Sequence, residues 1–237
     1  MQQTIIGIDI GGTMIKGGLF DRQGVCLQKK SIPTDVSMGI NRLMQNIITL
    51  VHLLTSDDRP PAVVGIGIAG ILDRTRTILL ESPNLPQLHD FKLKEMLEPE
   101  LNIPVVLEND ANCAALGELW AGAGRDLENF LFFTSGTGIG SGLILNGRLW
   151  PGEYGKAGEF GHVIVNPSGA QCACGKQGCL EAHASGSAIT LLAQEALARG
   201  KPSSLQARFH DRPGELSPEI IYNEAQKGDL LCLAIYR

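Results

Sequence analysis

One short stretch of this sequence, residues 157–181, contains four side chains of the types that bind metal ions. They are His162, Cys172, Cys174 and Cys179. Three thiolates and one imidazole form a closed tetrahedral shell, which is how proteins usually hold structural zinc. Gly175 and Gly178 allow the tight turns that such a knuckle needs. The sequence therefore predicts that the chain folds back on itself here around a zinc ion.

Two other interpretations of the cysteines stay open, namely a disulfide with a spare thiol, or three unrelated thiols. Zinc is favoured because the spacing is tight and a histidine completes the ligand count. Glu159 and Glu181 flank the cluster. A metal that draws the cysteines toward His162 also fixes the direction of both carboxylates, so we expect it to shape a binding site and not to act as the catalyst.

Composition excludes several classes of function. With 237 residues, the chain can bury a core in one large domain or two smaller ones. Its formal charge of -5 and the lack of any run of lysines or arginines argue against a nucleic-acid partner. No secretory signal and no membrane-spanning stretch is recognisable. Six cysteines without an export signal indicate a reducing compartment, so we expect a cytoplasmic protein with no membrane partner.

The N-terminal pattern predicts a β-hairpin with a glycine-rich bend. The predicted strands cover residues 4–10, 14–20 and 25–32, with no helix after the glycines. The chain has neither a G-x-G-x-x-G turn that leads into a helix nor a G-K-[ST] loop, so Rossmann and P-loop folds are excluded. The backbone N–H groups of Gly11, Gly12 and Thr13 could instead hold phosphate, and Asp9 could hold Mg²⁺ through water. A plain tight turn is the alternative.

A carboxylate follows a second buried strand. Residues 103–107 form an apolar strand that leads into Glu108-Asn109-Asp110, and a helix over 111–119 follows. Open α/β sheets place their chemistry where a strand ends next to a helix start, which makes Asp110 a candidate catalytic residue. The alternative is that Asp110 only caps the helix.

The second half of the sequence repeats the strand–glycine–strand pattern. A strand over 130–134 leads into Gly136–Gly142, and residues 143–149 follow with a hairpin turn at Asn146-Gly147. This weak internal repeat suits a nucleotide that is held from two sides. Further predictions are helices over 39–55 and 187–199, a buried strand over 63–70, a loop over 201–216, and helix caps at Ser217 and Asp229. We expect the sequence to be truncated at its C-terminus, because it stops about two turns into a helix.

Five motifs together resemble the ROK family (repressors, open reading frames, kinases) of sugar kinases and sugar-responsive regulators, with the closest similarity to bacterial glucokinases. They are D-I-G-G-T at Asp9–Thr13, E-N-D-A-N at Glu108–Asn112, G-T-G-I-G-S-G at Gly136–Gly142, E-F-G-H at Glu159–His162, and C-A-C-G-K-Q-G-C-L-E at Cys172–Glu181. The resemblance implies an α/β, actin-like (ribonuclease H-like) fold of two domains with a central cleft and a zinc knuckle. We expect a small domain over 1–118 and a large domain over 119–237 that is incomplete at its C-terminus.

The resemblance also implies ATP-dependent phosphorylation of a hexose at its 6-hydroxyl, with glucose as the expected substrate and Asp110 as the general base. The implied sugar-binding residues are Asn109, Glu159, His162, Glu181 and, more weakly, Gly70 and Asn84. The implied ATP- and phosphate-binding residues are Asp9, Gly11, Gly12, Thr13, Lys16, Gly136, Thr137 and Gly138. The implied cofactors are ATP, Mg²⁺ and structural Zn²⁺, and His162 is expected to serve both zinc and sugar. Enzymes of the family are often dimers, so a homodimer is one of the expected assemblies.

One departure from the family pattern limits this expectation. Family kinases continue into a glycine-rich segment that cradles the adenosine and a terminal helix, and this sequence ends before both. We therefore expect weak or no ATP binding by this polypeptide alone. The alternatives are a kinase for N-acetylmannosamine, N-acetylglucosamine, fructose or mannose, a sugar-sensing regulator, a non-catalytic sugar-binding remnant, and an actin- or chaperone-type ATPase. The lack of room for a DNA-binding helix-turn-helix argues against the regulator, and the zinc knuckle argues against the ATPase.

Overall fold

The computed structural model describes residues 3–55 and 60–236. Its strands are β1 (Thr4–Ile10), β2 (Met14–Phe20), β3 (Cys26–Pro33), β4 (Pro61–Ile68), β5 (Ile71–Leu72), β6 (Leu79–Glu81), β7 (Val105–Asn109), β8 (Phe130–Ser135), β9 (Ile139–Leu145) and β10 (Arg148–Leu149). Its α-helices are α1 (Ile40–Leu54), α2 (Leu93–Leu101), α3 (Asp110–Ala121), α4 (Leu180–Ala184), α5 (Gly186–Ala198), α6 (Gln206–Asp211), α7 (Pro218–Gln226) and α8 (Leu230–Ile235). None of these described helices has the length and apolar composition needed to cross a bilayer.

The chain divides into two compact units. The first contains the described residues up to Phe132 together with Gly142–Gly158. The second contains Phe133–Ser141 together with the described residues from Glu159 onward. The chain therefore passes between the units within β8 and β9. The domain boundary at residue 118 stays a prediction.

A five-stranded sheet in the order β3-β2-β1-β4-β7 forms the centre of the first unit. β1 pairs antiparallel with β2 and parallel with β4, and β7 pairs parallel with β4. The direct connection from β1 to β2 confirms the predicted hairpin without a helix after the glycines. In register, Asp9, Gly67 and Glu108 stand side by side on β1, β4 and β7, close to the carboxyl ends of the three parallel strands.

Helix α1 covers one face of this sheet with its apolar stripe. Ile47, Leu50 and Leu54 on that stripe are each at most 1% exposed. The helix can approach closely because β2 has a glycine beneath it. A Cβ atom at Gly17 would lie only 2.7 Å from Leu54 Cδ1, so a larger residue would push the helix away from the strand.

The second unit has a helical core formed by α5, α7 and α8. Ala193, Leu197, Ile221 and Cys232 from these helices are almost fully buried against one another. The predicted caps are confirmed, because the side chains of Ser217 and Asp229 accept hydrogen bonds from backbone N–H groups in the first turns of α7 and α8. These caps help to fix where each helix begins.

Two short helices depart from the predicted pattern. The loop prediction over 201–216 is wrong in part, because Gln206–Asp211 forms α6. Helix α4, which follows Cys179 directly, has five residues and was not predicted. Helices of one to two turns repeat an apolar face too few times to produce a recognisable period.

Candidate active site and metal centre

Strand β7 ends at Asn109 and α3 begins at Asp110, so a carboxylate lies where the strand becomes a helix. The helix cap is Asn109, whose side-chain oxygen accepts a hydrogen bond of 3.1 Å from the backbone N–H of Asn112. The alternative that Asp110 caps the helix is therefore wrong. Asp110 is the first helical residue, and its carboxylate accepts a bond of 2.9 Å from the N–H of Ala111.

The surroundings of Asp110 make its carboxylate a stronger base than a fully solvated aspartate, although the residue is accessible to solvent. Burial is the main cause that raises the pKa of its carboxyl above the ordinary value. The hydrogen bond from Ala111 acts in the opposite direction, and the negative charge of Asp9 raises the pKa further. Asp9 stands opposite Lys16 in the antiparallel register of β1 and β2. A carboxylate with a raised pKa takes up a proton more readily from a hydroxyl that is losing one.

The glycine bend between β1 and β2 has its carbonyl groups engaged by hydrogen bonds. The N–H of Gly11 donates to the carbonyl of Met14 at 3.1 Å. Thr34 holds the bend with its N–H, which donates to the Thr13 carbonyl at 2.9 Å, and with its hydroxyl, which donates to the Gly11 carbonyl at 2.7 Å. The N–H of Gly11 is therefore engaged within the bend and is not available to a phosphate, which corrects the predicted set of N–H donors.

Two contacts place the predicted sugar-binding residues Gly70 and Asn84 near Asn109 and the first glycine bend. The side-chain nitrogen of Asn109 donates to the carbonyl of Gly70 at 3.1 Å. Gly70 has a φ of 152°, and a Cβ atom there would lie 2.3 Å from the carbonyl oxygen of Glu81, so only glycine fits. Asn84 lies against the glycine bend, since a Cβ atom at Gly12 would be 3.6 Å from Asn84 Cβ.

In the second unit the four predicted metal ligands converge. The ligand atoms of His162, Cys172, Cys174 and Cys179 all lie within 4.8 Å of one another. The Sγ atoms of Cys174 and Cys179 are 3.6 Å apart, and Cys172 Sγ is 3.7 Å from His162 Nδ1. Tetrahedral zinc, with bonds of about 2.3 Å to sulfur and about 2.0 Å to nitrogen, separates its ligands by similar distances. All six cysteines are unbridged, so the disulfide alternative is not found.

Close backbone approach closes the knuckle around these ligands. The N–H of Val165 donates to the carbonyl of Gly178 at 2.9 Å, which ties the segment after His162 to the segment before Cys179. A Cβ atom at Gly178 would lie 1.7 Å from the carbonyl oxygen of Asn166, and Gly178 has a φ of 79°. A larger residue at this position would therefore force the two segments apart.

The two flanking glutamates contact different nitrogens of the His162 ring. Nε2 of His162 is 3.8 Å from a carboxylate oxygen of Glu159, and Nδ1, the nitrogen on the cysteine side, is 4.0 Å from a carboxylate oxygen of Glu181. The other oxygen of Glu181 accepts a hydrogen bond of 2.9 Å from the N–H of Ile139. The ring thus presents Nδ1 to the ligand cluster and Nε2 to Glu159.

The second glycine segment packs directly on this cluster. A Cβ atom at Gly138 would lie 2.4 Å from a carboxylate oxygen of Glu181, so glycine is needed for the close approach. The first N–H groups of α5 donate to the carbonyls of Gly136 and Thr137 at 2.8 and 3.2 Å. The N–H of Gly136 donates to the carbonyl of Gly138 at 3.0 Å, so this N–H is also engaged within its own segment.

Two charged residues of the first unit are not among the predicted site residues. Glu108 is only 9% exposed, and one of its oxygens lies 3.0 Å from Nε of Arg76. A charged residue at the end of an otherwise apolar strand is a signal for Glu108, since buried carboxylates need partners. No local pattern points to Arg76, because the pair forms only when β5 and β6 fold next to β7.

Comparison with known proteins identifies the relatives of the chain. The model of the ROK family matches residues 5–237. The chain is 37% identical over 235 residues to a glucokinase of Halalkalibacterium halodurans, an alignment that covers 97% of this chain and 71% of the relative. It is 34% identical over 224 residues to an N-acetylmannosamine kinase of Shigella flexneri, with 94% of this chain and 75% of the relative covered.

A solved structure has the same fold. The ROK family glucokinase from Streptomyces griseus, in complex with glucose and AMPPNP, superposes with a TM-score of 0.79 at 35% sequence identity. The match covers 98% of this chain and 74% of that protein. The α/β architecture with a mixed sheet is therefore shared with that structure.

Proposed function

The chain belongs to the ROK family, and on this premise we propose that it transfers the γ-phosphoryl group of ATP to the 6-hydroxyl of a hexose, with glucose as substrate. Relatives that are glucokinases and the kinase structure with AMPPNP support an ATP-dependent sugar kinase. The observation that carries the proposal is the placement of Asp110, a solvent-accessible carboxylate of raised pKa at the junction of β7 and α3.

Asp110 acts as the general base in the proposed reaction. Its carboxylate accepts the proton of the sugar hydroxyl while the hydroxyl oxygen attacks the γ-phosphorus and ADP leaves. General-base assistance of this kind contributes roughly 10²- to 10⁴-fold in rate. Most of the remaining acceleration in phosphoryl transfer comes from positioning and charge stabilisation.

Polar side chains bind the sugar hydroxyls in this proposal. The proposed hydroxyl-binding residues are Asn109, Glu159, His162 and Glu181, with Gly70 and Asn84 as weaker candidates. Glu159 lies beside Nε2 of His162, so the two side chains can contact neighbouring hydroxyls. A site built from hydrogen-bonding groups discriminates strongly, because a sugar that lacks a hydroxyl leaves a buried polar group unpaired.

The two glycine segments bind the phosphates of ATP in this proposal. The residues are Asp9, Gly11, Gly12, Thr13, Lys16, Gly136, Thr137 and Gly138. Each segment is a glycine-rich bend between neighbouring strands of a sheet, where successive N–H groups can form an anion-binding nest. Gly11 and Gly136, whose own N–H groups are engaged, shape the two bends. Asp9 would hold Mg²⁺ through water, and the ion when bound neutralises phosphate charge.

His162, Cys172, Cys174 and Cys179 would hold a structural zinc ion, which their convergence supports. When bound, the ion supplies a rigid anchor for the knuckle. The chain's own contribution is to hold the His162 ring by Nδ1, so that Nε2 stays next to Glu159. Ligands held in this way keep a fixed ring orientation, which helps to position a sugar hydroxyl.

The finer fold assignment belongs to the same proposal. We propose the actin-like, ribonuclease H-like architecture, which is supported by the order β3-β2-β1-β4-β7 with antiparallel strands followed by parallel ones. The central cleft and the two domains stay predictions.

A coupled phosphorylation assay on the full-length gene product, with ATP, Mg²⁺ and a panel of hexoses, tests the proposal. We expect turnover of glucose by the wild type and its loss in Asp110→Asn, while Asp126→Asn, an exposed carboxylate on the same unit, keeps wild-type activity. Turnover confined to an acetamido sugar would correct the substrate and keep the mechanism. Full activity in Asp110→Asn would contradict the assignment of the base.

A further inference from the structure

Glu108 connects three parts of the first unit through one buried carboxylate. One oxygen accepts hydrogen bonds of 3.0 Å from the backbone N–H of Asn109 and 3.0 Å from the side chain of Asn112. The other oxygen pairs with Nε of Arg76 at 3.0 Å. Both hydrogen-bond donors belong to the turn that contains Asp110, so the position of Glu108 influences how that turn is held.

Arg76 reaches Glu108 from a tightly organised turn between β5 and β6. Asp73 accepts hydrogen bonds from the backbone N–H groups of Thr75, Thr77 and Ile78 at 3.1, 2.7 and 2.7 Å. Arg76 itself has a φ of 56°, in the left-handed region where glycine is the residue that fits most easily. A long charged side chain at such a position indicates that the side chain, and not only the turn, has a role.

The positive charge of Arg76 also acts on the Cys113 thiol, which is influenced by the carboxylates near Asp110. Burial and the negative charges of these carboxylates raise the pKa of the neighbouring Cys113 thiol to about 12, whereas the charge of Arg76 opposes them. The carboxylates are Glu108, Asp110 and Asp9. At the Cys113 thiol, the positive charge of Arg76 therefore offsets part of the effect of these three negative charges.

We propose that Arg76 is a positioning residue for phosphoryl transfer, which acts through Glu108 to hold Asn109 and Asp110 in their reactive arrangement. This inference rests on the proposed kinase function. Arg76 does not touch the reacting atoms in this scheme. It fixes the Glu108 carboxylate, which in turn fixes the backbone N–H of Asn109 and the side chain of Asn112 on either side of Asp110.

If Arg76 positions the catalytic turn, loss of the Arg76–Glu108 ion pair should affect turnover more than stability. The Arg76 side chain is 39% exposed, and partly exposed ion pairs contribute little to stability. A misplacement of the base by about 1 Å can reduce turnover about 100-fold. The loss of Arg76 should therefore lower kcat much more than it lowers the melting temperature or raises KM for the sugar.

Steady-state kinetics of the full-length gene product test the proposal with Arg76→Gln, Arg76→Lys and the control Arg74→Gln, an exposed arginine of the same turn. For Arg76→Gln we expect kcat about 10- to 100-fold below wild type, with KM for the sugar changed less than about threefold. Arg76→Lys should recover most of kcat because it keeps the charge, and Arg74→Gln should match the wild type. A kcat of Arg76→Gln within twofold of Arg74→Gln would overturn the proposal.

Glu108→Gln and the double variant Arg76→Gln/Glu108→Gln test whether Arg76 acts through Glu108. If it does, the double variant has a kcat within about twofold of Glu108→Gln alone. If the losses in kcat of the two single variants instead multiply in the double variant, action through Glu108 is overturned, even if Arg76→Gln folds poorly.

Wild-type turnover is measured first. Its absence on every sugar contradicts the kinase function and this inference together, whereas wild-type turnover with an unchanged Arg76→Gln contradicts the positioning role alone.

Discussion

Asn109 donates a hydrogen bond of 3.1 Å from its side-chain nitrogen to the carbonyl oxygen of Gly70. Its side-chain oxygen meanwhile accepts from the N–H of Asn112 as the cap of α3. One residue therefore joins the end of β7, the bend after β4 and the first turn of α3. Any role of Asn109 in sugar binding comes in addition to this structural role, and mutations there must be interpreted accordingly.

Asn109→Ala should destabilise the protein through both bonds. The lost cap lowers the free energy of unfolding by about 1 kcal/mol, and the lost bond to Gly70 lowers it by about 1 kcal/mol more. Asn109→Ser keeps a capping oxygen and should recover roughly the first part. Denaturant unfolding of both variants measures this, and equal stabilities of the alanine and serine variants would show that the cap contributes nothing.

Asp110→Asn should abolish turnover and stabilise the fold at neutral pH. The pKa of the Asp110 carboxyl is raised in the folded state, mainly by burial. Stability is therefore full below the unfolded-state pKa, where the group is protonated, and part of it is lost as the pH rises through the folded-state pKa. Asparagine carries no charge and does not have this loss.

Melting temperatures of Asp110→Asn and wild type at several pH values check the prediction. The variant should melt higher at pH 7, and the difference should shrink as the pH falls toward the ordinary pKa of aspartate, about 4. Asp126→Asn provides the matched control. A variant that melts lower than wild type at pH 7, or a difference that does not depend on pH, would show that the charge of Asp110 is not penalised in the fold.

Local signals in the sequence account for most of the elements that were predicted. The glycine bend after β1, the caps at Ser217 and Asp229, and the Asn146-Gly147 turn each depend on a few adjacent residues. In the turn, both residues have positive φ, 52° and 67°, as this residue pair predicts. The alternative that Asp110 caps α3 differs from the structure by one position, because asparagine and aspartate are equally good caps and only the backbone geometry distinguishes them.

The candidate site was less predictable because it depends on contacts between distant segments. The convergence of the four predicted metal ligands follows from the sequence, because their spacing is short and their chemistry is specific. The pairing of Glu108 with Arg76 was not found, because it depends on how the β5–β6 turn folds against β7. Which ring nitrogen of His162 faces Glu159 and which faces the cysteine cluster is likewise known only from the orientation of the ring in the structure.

Asp73→Asn should loosen the turn that carries Arg76. Burial raises the pKa of Asp73, but hydrogen bonds from Thr75, Thr77 and Ile78 outweigh it and lower the pKa to about 2. The ionised carboxylate therefore contributes stability above the ordinary pKa of 3.8, and this contribution is lost as the pH falls through about 2. We expect Asp73→Asn to lower the free energy of unfolding by about 1 kcal/mol at pH 7.

Denaturant unfolding at pH 7 and at acidic pH, with Asp126→Asn as control, measures this difference, which should shrink as the pH approaches 2. If Arg76 has the positioning role, Asp73→Asn should also lower kcat, because the turn no longer holds the arginine in place. A stability difference that grows on acidification would contradict the sign of the pKa shift.

Substitution of Cys174, one of the four proposed metal ligands, should test whether the knuckle needs a metal ion and whether that ion orients His162. Cys174 is the exposed member of the cluster, so Cys174→Ser removes a ligand with little disturbance of the core. We expect the wild type to contain about one zinc per chain, and the variant to lose the metal and to melt at a lower temperature. Sugar binding should weaken as well, because the His162 ring loses its anchor at Nδ1 and Nε2 no longer stays beside Glu159.

Metal analysis, thermal melting and calorimetric titration with sugar measure the three effects on Cys174→Ser. Cys26→Ser, which removes a half-buried thiol from β3 in the first unit, is the matched control and should keep the zinc and bind sugar normally. Zinc retained at wild-type stoichiometry in a Cys174→Ser/Cys179→Ser double variant would show that the cluster is not the metal site. Loss of zinc with unchanged sugar affinity would instead show that the metal stabilises the knuckle without orienting His162.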